Sequence, residues 1–165
     1  MLAVLALVAV SCSSSTHKVG SASATTAAIS PSTSTTVSGF KVGDVATAGG
    51  WDIAVVGVHN PLATSSAEFT TAAGRHFLGL DLTLKNTTTA PQSLDLSTLH
   101  IDDAGGHSYE AFPMPGATSF NANNVAAGTT RRGTLPFDVD DAATPPLTLV
   151  FSPNPSGSPV RIGLT

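Results

Sequence analysis

The sequence predicts an all-β domain built as a two-sheet antiparallel sandwich of about eight short strands, and three observations predict it. Between Arg75 and Asn86 the chain reads R-H-F-L-G-L-D-L-T-L-K-N, with Leu78, Leu80, Leu82 and Leu84 at every second position. Side chains alternate across a pleated sheet, so the leucines line one face and Gly79, Asp81, Thr83 and Lys85 the other. Only a second layer can bury those leucines. Similar short runs recur along the chain, separated by clusters drawn from its 15 glycines and 11 prolines. Apolar positions at helical spacing are absent beyond the opening apolar stretch.

A chain of 165 residues holds one domain of ordinary size plus an appendage. Charged residues make up 11% of it and the formal net charge is -4. There is no basic field to hold a nucleic-acid backbone, so nucleic acid is not an expected partner.

The appendage is N-terminal. Met1 to Val10 is an unbroken apolar run followed by Ser11-Cys12, too short to span a bilayer but the size of a signal peptide's apolar part. Cys12 is the single cysteine and cannot staple the domain to itself. Ala9-Val10-Ser11-Cys12 resembles a bacterial lipobox, in which small residues precede a cysteine that is acylated and becomes the new N-terminus. Ala9 stands where that pattern prefers Leu, and no Lys or Arg precedes the apolar run. The expectation is therefore a signal peptide over residues 1–11 whose true start lies upstream, and a lipidated Cys12. Residues 12–38, rich in Ser, Thr and Ala, cannot bury enough surface to offset the entropy of ordering them, so they read as a disordered tether. A flexible linker of about 25 residues has an r.m.s. reach of roughly 25–30 Å. Its Ser/Thr richness also suits O-glycosylation.

The domain occupies residues 39–165. Val42 to Ala46 reads as a first strand, Gly49-Gly50 as a turn, and Trp51 to Val58 as a second strand with Trp51, Ile53 and Val55 on one face. His59 to Gly74 has no period and reads as a surface loop. After the leucine strand, Asn86 to Pro91 is a polar turn. Leu94 and Leu96 keep one parity while Leu99 and Ile101 keep the other, so a bulge or bend is expected near Ser97-Thr98. Asp102 to Gly106 closes a hairpin whose second arm is His107 to Phe112, and Pro113 to Ala127 reads as a second loop pinned by Phe120. Arg131 to Val139 alternates again, with Pro136 on the outward parity; a proline cannot donate to a ladder, so the strand lies at an edge or bulges there. Leu147, Leu149 and Phe151 mark the next strand, and Val160, Ile162 and Leu164 the last.

Four pieces carry a family resemblance in order: K-V-G-D at Lys41 to Asp44, L-D-L-T-L-K-N at Leu80 to Asn86, L-H-I-D-D-A-G-G-H-S-Y at Leu99 to Tyr109, and A-A-G-T-T-R-R-G-T-L-P-F-D-V at Ala126 to Val139. Together they resemble a domain of unknown function common in Gram-positive lipoproteins and grouped with immunoprotective extracellular proteins of immunoglobulin-like fold. The resemblance covers roughly residues 40–165, and four motifs in register are more specific than any one alone. It implies an immunoglobulin-like sandwich on the outer face of a cell membrane and carries over no catalytic residues. Pro136 departs from the apolar residue usual at its place.

Candidate chemistry is sparse. There is no G-x-S-x-G elbow and no spacing that proposes a Ser-His-Asp triad, so the chain does not read as an enzyme, and no cofactor is expected. Four histidines lie in the domain: His59, His76, His100 and His107. His100 and His107 flank the hairpin turn and, with Asp103 or Asp102, form a candidate three-ligand zinc or copper set. Exposed strand-end histidines are the stronger reading, because no H-x-x-x-H or C-x-x-C spacing is present, and no metal site is expected. His76 reads as a cap on the core's edge. Asp138, Asp140 and Asp141 could offer calcium several oxygens, but the twelve-residue calcium loop is absent and a solvated turn is the favoured reading. Arg131-Arg132 reads as a solvated strand start.

The resulting expectation is a cell-envelope lipoprotein on the extracellular face of the membrane. Acylated Cys12 anchors it, and an immunoglobulin-like domain binds a surface protein or small ligand without catalysis, through the loops at His59 to Gly74 and Pro113 to Val125. The alternatives are a small-ligand or metal carrier, with a pocket between the sheets or His100 near His107, and a structural spacer with no exposed apolar patch.

Overall fold

The computed structural model describes residues 39–63, 69–112, 114 and 119–165; the expected signal peptide, Cys12 and the tether lie outside the described residues. Nine strands occur among the described residues: β1 (Phe40–Lys41), β2 (Ala46–Ala48), β3 (Trp51–His59), β4 (Arg75–Asn86), β5 (Leu99–Asp102), β6 (Ser108–Glu110), β7 (Thr130–Asp140), β8 (Thr148–Phe151) and β9 (Val160–Gly163). They form two sheets, ordered β1-β9-β8-β5-β6 and β2-β3-β4-β7. All pairings are antiparallel except that of β1 with β9. The domain is thus an all-β, two-sheet sandwich. No helix among the described residues is long and apolar enough to cross a membrane.

The leucine run is β4, flanked by β3 and β7. Leu78, Leu80, Leu82 and Leu84 are buried with Ile53, Val55, Leu135 and Phe137 from the same sheet and Leu99, Ile101, Leu149, Phe151 and Ile162 from the other. Each buried aliphatic side chain contributes about 1.5–3 kcal/mol, so the strand with the longest unbroken alternation takes the central place. Trp51 lies in this core, as its parity with Ile53 and Val55 requires.

The expected first strand, Val42 to Ala46, is corrected to two short ones. Gly43 sits at φ +96, a conformation that favours glycine, and Asp44 accepts the Lys41 N–H on its carboxylate at 2.8 Å. This turn carries the chain from β1 in one sheet to β2 in the other, and it leaves Val42 and Val45 exposed. The parity change before Leu99 is met by a single 3-10 turn, Leu96–Thr98, with Asp95 accepting the Ser97 N–H. The bulge lies elsewhere, in β3 between Val55 and Gly57, and turns Val56 outward.

Pro136 lies on an edge strand, as expected. Its carbonyl accepts the Phe112 N–H at 2.8 Å, so that side of the residue faces away from β4 and the missing N–H costs no ladder bond. The segment after β6 covers this edge through isolated bridges Ala111–Phe137 and Ser119–Thr134. Phe120 is buried, as the pin it was expected to be.

The reading of Pro113 to Val125 as a free binding loop is corrected over residues 119–125. Phe120, Ala122 and Val125 are buried, and Val125 bridges Gln92. A long edge strand left bare would invite pairing with another chain, so residues 119–125 are committed to covering and packing. The loop before β4 is also tied down in part. Leu62 donates its N–H to the Phe77 carbonyl at 2.6 Å and lies over Gly79, where an added Cβ would meet Leu62 Cδ1 at 2.8 Å.

Candidate functional site

Two polar regions stand out, one at an end of the sandwich and one on the outer face of the four-stranded sheet. The first gathers the start of β4, the end of β7, the β5–β6 turn and the segment after β7. Asp103, in that turn, is buried and accepts the backbone N–H groups of His107 at 2.9 Å and Thr144 at 3.0 Å. The Tyr109 hydroxyl at 3.3 Å and His107 Nδ1 at 3.1 Å complete its shell. These donors, the His107 N–H first and the Thr144 N–H second, hold the Asp103 carboxyl well below the usual carboxylate range. Burial, and then the Asp103 charge, push the Tyr109 hydroxyl up.

Beside it Arg75 donates through Nε to Asp138 at 2.9 Å and through Nη1 to Asp140 at 2.7 Å. A third bond runs from Nη2 to the Asp138 carbonyl at 2.6 Å. His76 Nδ1 lies 2.8 Å from Asp141, while its Nε2 is buried without a hydrogen-bond partner. The acidic run is therefore not gathered around an empty centre. Arg75 pairs with Asp138 and Asp140, and His76 lies against Asp141.

The candidate metal set is not assembled. The β5–β6 register places His100 opposite Glu110 and Asp102 opposite Ser108, on the outer face of the five-stranded sheet, with His100 Nε2 3.4 Å from Asp102. His107 instead folds back on Asp103 within the turn. Thus Asp103 and His107 meet, His100 does not join them, and no group of three His, Cys, Asp or Glu among the described residues is placed to hold a metal ion. A seven-residue separation across a hairpin does not fix which residues face each other; the turn's length does.

The second region was not legible as a site. On the outer face of the four-stranded sheet, Asp81 accepts the Thr134 hydroxyl at 2.6 Å and lies 2.8 Å from His59 Nε2. These bonds, Thr134 first, lower its carboxyl below the ordinary range. Gly57, opposite Asp81, leaves room for this carboxylate, since a Cβ there would lie 2.9 Å from its Oδ2. Alongside runs an open groove of about 370 Å³, lined by Val56, Asp81, Leu82, Thr83, Arg132, Gly133 and Thr134. The order Thr134–Asp81–His59 puts the carboxylate between hydroxyl and imidazole, whereas activation of a nucleophile needs the imidazole in the middle.

Residues 40–161 match the family described as a domain of unknown function, DUF4352. The chain belongs to the DUF4352 family. No curated protein matches it. Among solved structures the DUF4352 domain is similar to the yjhA protein of Bacillus subtilis, at 16% identity over 76% of this chain and 99% of that one, with a TM-score of 0.58. It is similar also to the secreted protein MPT63 of Mycobacterium tuberculosis, at 14% identity over 75% and 93% of the two chains, TM-score 0.58. A third likeness is to a candidate lipoprotein of Bacillus subtilis, ycdA, at 16% identity over 73% of this chain and 38% of that one, TM-score 0.56. At such identities the likeness establishes the sandwich fold of the DUF4352 domain.

Proposed function

We propose that the chain is a cell-envelope lipoprotein in which acylated Cys12 holds one immunoglobulin-like DUF4352 domain at the outer face of the membrane, where it works by binding. The observation that carries this reading is the pairing of that domain with an N-terminal apolar run ending in Ser11-Cys12. Likeness to a secreted protein and to a candidate lipoprotein supports an extracellular or envelope location. Binding is favoured over catalysis because the titratable clusters at the sandwich end and on the sheet face are engaged with one another. It is favoured over a spacer role because Val42, Val45 and Val56 are exposed.

The test is intact mass and membrane partitioning of the protein expressed from its native upstream region, beside Cys12→Ala. Acyl mass and membrane recovery are expected for the wild type and neither for the variant. An unacylated wild type found free in the medium overturns the anchor.

A further inference from the structure

We propose that the groove on the outer face of the four-stranded sheet is a binding site for a small aliphatic amino acid taken as its zwitterion, with the ammonium group on Asp81, the carboxylate on Arg132 and the hydrocarbon side chain against Val56. The proposal rests on the reading of this domain as a binder and deepens it by naming a class of ligand, but it does not depend on acylation of Cys12.

The first argument is a pair of opposite charges that line one groove without meeting. In the β4–β7 register Asp81 faces Thr134 and Thr83 faces Arg132, so Asp81 and Arg132 are diagonal neighbours on the outward parity. Diagonal neighbours in a sheet stand about 7–8 Å apart, within reach of an arginine side chain. Yet among the described residues the ion-pair partner of Asp81 is His59, and the exposed Arg132 has none. Both line the groove of about 370 Å³, and the space between them is part of it. Asp81 also keeps room for a further donor. Thr134 occupies its Oδ1 and His59 lies against its Oδ2, whereas a carboxylate offers about four lone-pair sites. Two unjoined charges at this spacing are the two ends of a receptor for a molecule that carries both.

The second argument is balance. The one carboxylate and one guanidinium of the groove cancel, so a net anion drawn to Arg132 is repelled by Asp81 and a net cation meets the reverse. A zwitterion gains at both ends. The other charges of this face do not upset the balance. Arg75 holds Asp138 and Asp140 at the sandwich end, and Asp52 accepts the Thr47 hydroxyl. Lys85 follows Thr83 on the outward row of β4, opposite Asp52 and Thr130, and is not part of the groove lining.

The third argument is shape. The β3 bulge turns Val56 outward, where it is 56% exposed, and sets Gly57 opposite Asp81. Ala54, opposite Thr83, is the other small residue on this part of β3. The strand therefore offers one apolar knob above a low floor instead of a wall. An aliphatic side chain laid on Val56 removes apolar surface of both from water, while Thr83 and Thr134 bring hydroxyls to the polar end. Contacts in so open a groove are exchangeable, and a Kd of about 1 mM is expected.

The test uses residues 12–165 carrying Cys12→Ala, which removes the acylation site and the apolar leader and leaves the sandwich whole. Backbone amide signals are followed by NMR during titration with L-leucine, at low salt because exposed ion pairs are screened as salt rises. Signals of Thr83, Arg132, Gly133 and Thr134 should move and saturate with a Kd of about 1 mM. Leucinamide, which lacks the carboxylate, and isocaproate, which lacks the amine, should each bind at least about fivefold more weakly. Arg132→Gln and Asp81→Asn should weaken leucine binding to the same degree, and Arg161→Gln, on the other sheet, should leave it unchanged. Val56→Ser should remove the preference for leucine over glycine. Circular dichroism checks that each variant is folded, and Arg132→Gln decides where Asp81→Asn, which also loses a bond to Thr134, is not.

Absence of saturable shifts at these residues up to about 50 mM leucine overturns the proposal. So does isocaproate binding as tightly as leucine, which would make the groove an anion site, or leucinamide doing so, which would make it a cation site. Unchanged binding to Arg132→Gln, an equal loss from Arg161→Gln, or a preference for leucine that survives Val56→Ser overturns it as well. Because Cys12 is absent from every arm, a negative result strikes this ligand and leaves the anchor reading standing, and a failed acylation test leaves this one standing.

Discussion

Asn86 shows how one side chain can hold several backbone segments. It is fully buried at the end of β4, donates through Nδ2 to the carbonyls of Ala90 and Val125, and accepts the Thr88 N–H and hydroxyl on Oδ1. Its backbone adds bonds with Thr129 and Gly128. Asn86→Ala removes four side-chain hydrogen bonds from a buried site, and an expected loss of about 2–4 kcal/mol should appear as a lower urea midpoint at unchanged slope. Asp103 plays the matching role at the opposite end, and its charge makes that role pH-dependent. Its folded-state carboxyl, like that of Asp81, titrates below the unfolded value, so its contribution is whole above the unfolded pKa of about 3.9 and is lost as pH falls toward the folded one. Asp103→Asn should therefore be less stable than wild type at neutral pH and should show a flatter fall in stability below about pH 4, read from urea midpoints across the acid range. Neither role was legible in the sequence. An Asn before a turn and an Asp in D-D-A-G-G are both explained by turn chemistry alone.

At the scale of elements, Gly79 and the β3 bulge carry the clearest consequences. Gly79 lets Leu62 lie on the outer face of β4, where Phe77 is also covered by Phe112 at a ring-centroid distance of 5.3 Å. Gly79→Ala should push Leu62 off its seat and cost about 1–2 kcal/mol. In a double-mutant cycle with Leu62→Ala much of that cost should disappear, because the obstructed side chain is then gone. Equal costs in both backgrounds would place the strain in β4 itself. The bulge had a signal that pattern reading passed over: in W-D-I-A-V-V-G-V-H the alternation through Trp51, Ile53 and Val55 resumes only at Val58, with Gly57 between. The covering segment had one too, since Phe120 and Ala122 alternate within an apparent loop. What hid it was the absence of a long run, because isolated bridges to an edge strand require no regular strand of their own.

For the whole molecule, β4 is the last element to open. It has hydrogen-bonded neighbours on both sides and its leucines are packed against both sheets, so amides of Leu78 to Leu84 should exchange with solvent only on global unfolding. Those of Val42 to Val45, which lie in a corner turn with exposed side chains, should exchange orders of magnitude sooner. Hydrogen exchange followed residue by residue checks both, and comparable protection in the two segments would mean that the corner is part of the cooperative unit. Such a corner, less protected and carrying exposed valines, is the place on this sandwich best able to adapt to a contact.

Residue patterning alone determined the class of fold and the central strand with its buried face, and it narrowed Pro136 to an edge or a bulge. Period-2 alternation and backbone donor chemistry act over a few residues, so they can be read from a few residues. The tertiary structure decided which strands share a sheet, that the K-V-G-D turn joins the two, and that Arg75 and His76 partner the acidic run. It also decided that His100 faces Glu110 and not His107. These outcomes depend on register and on which face each turn delivers, and a shift of one residue reverses them without altering the pattern from which the strands were recognised.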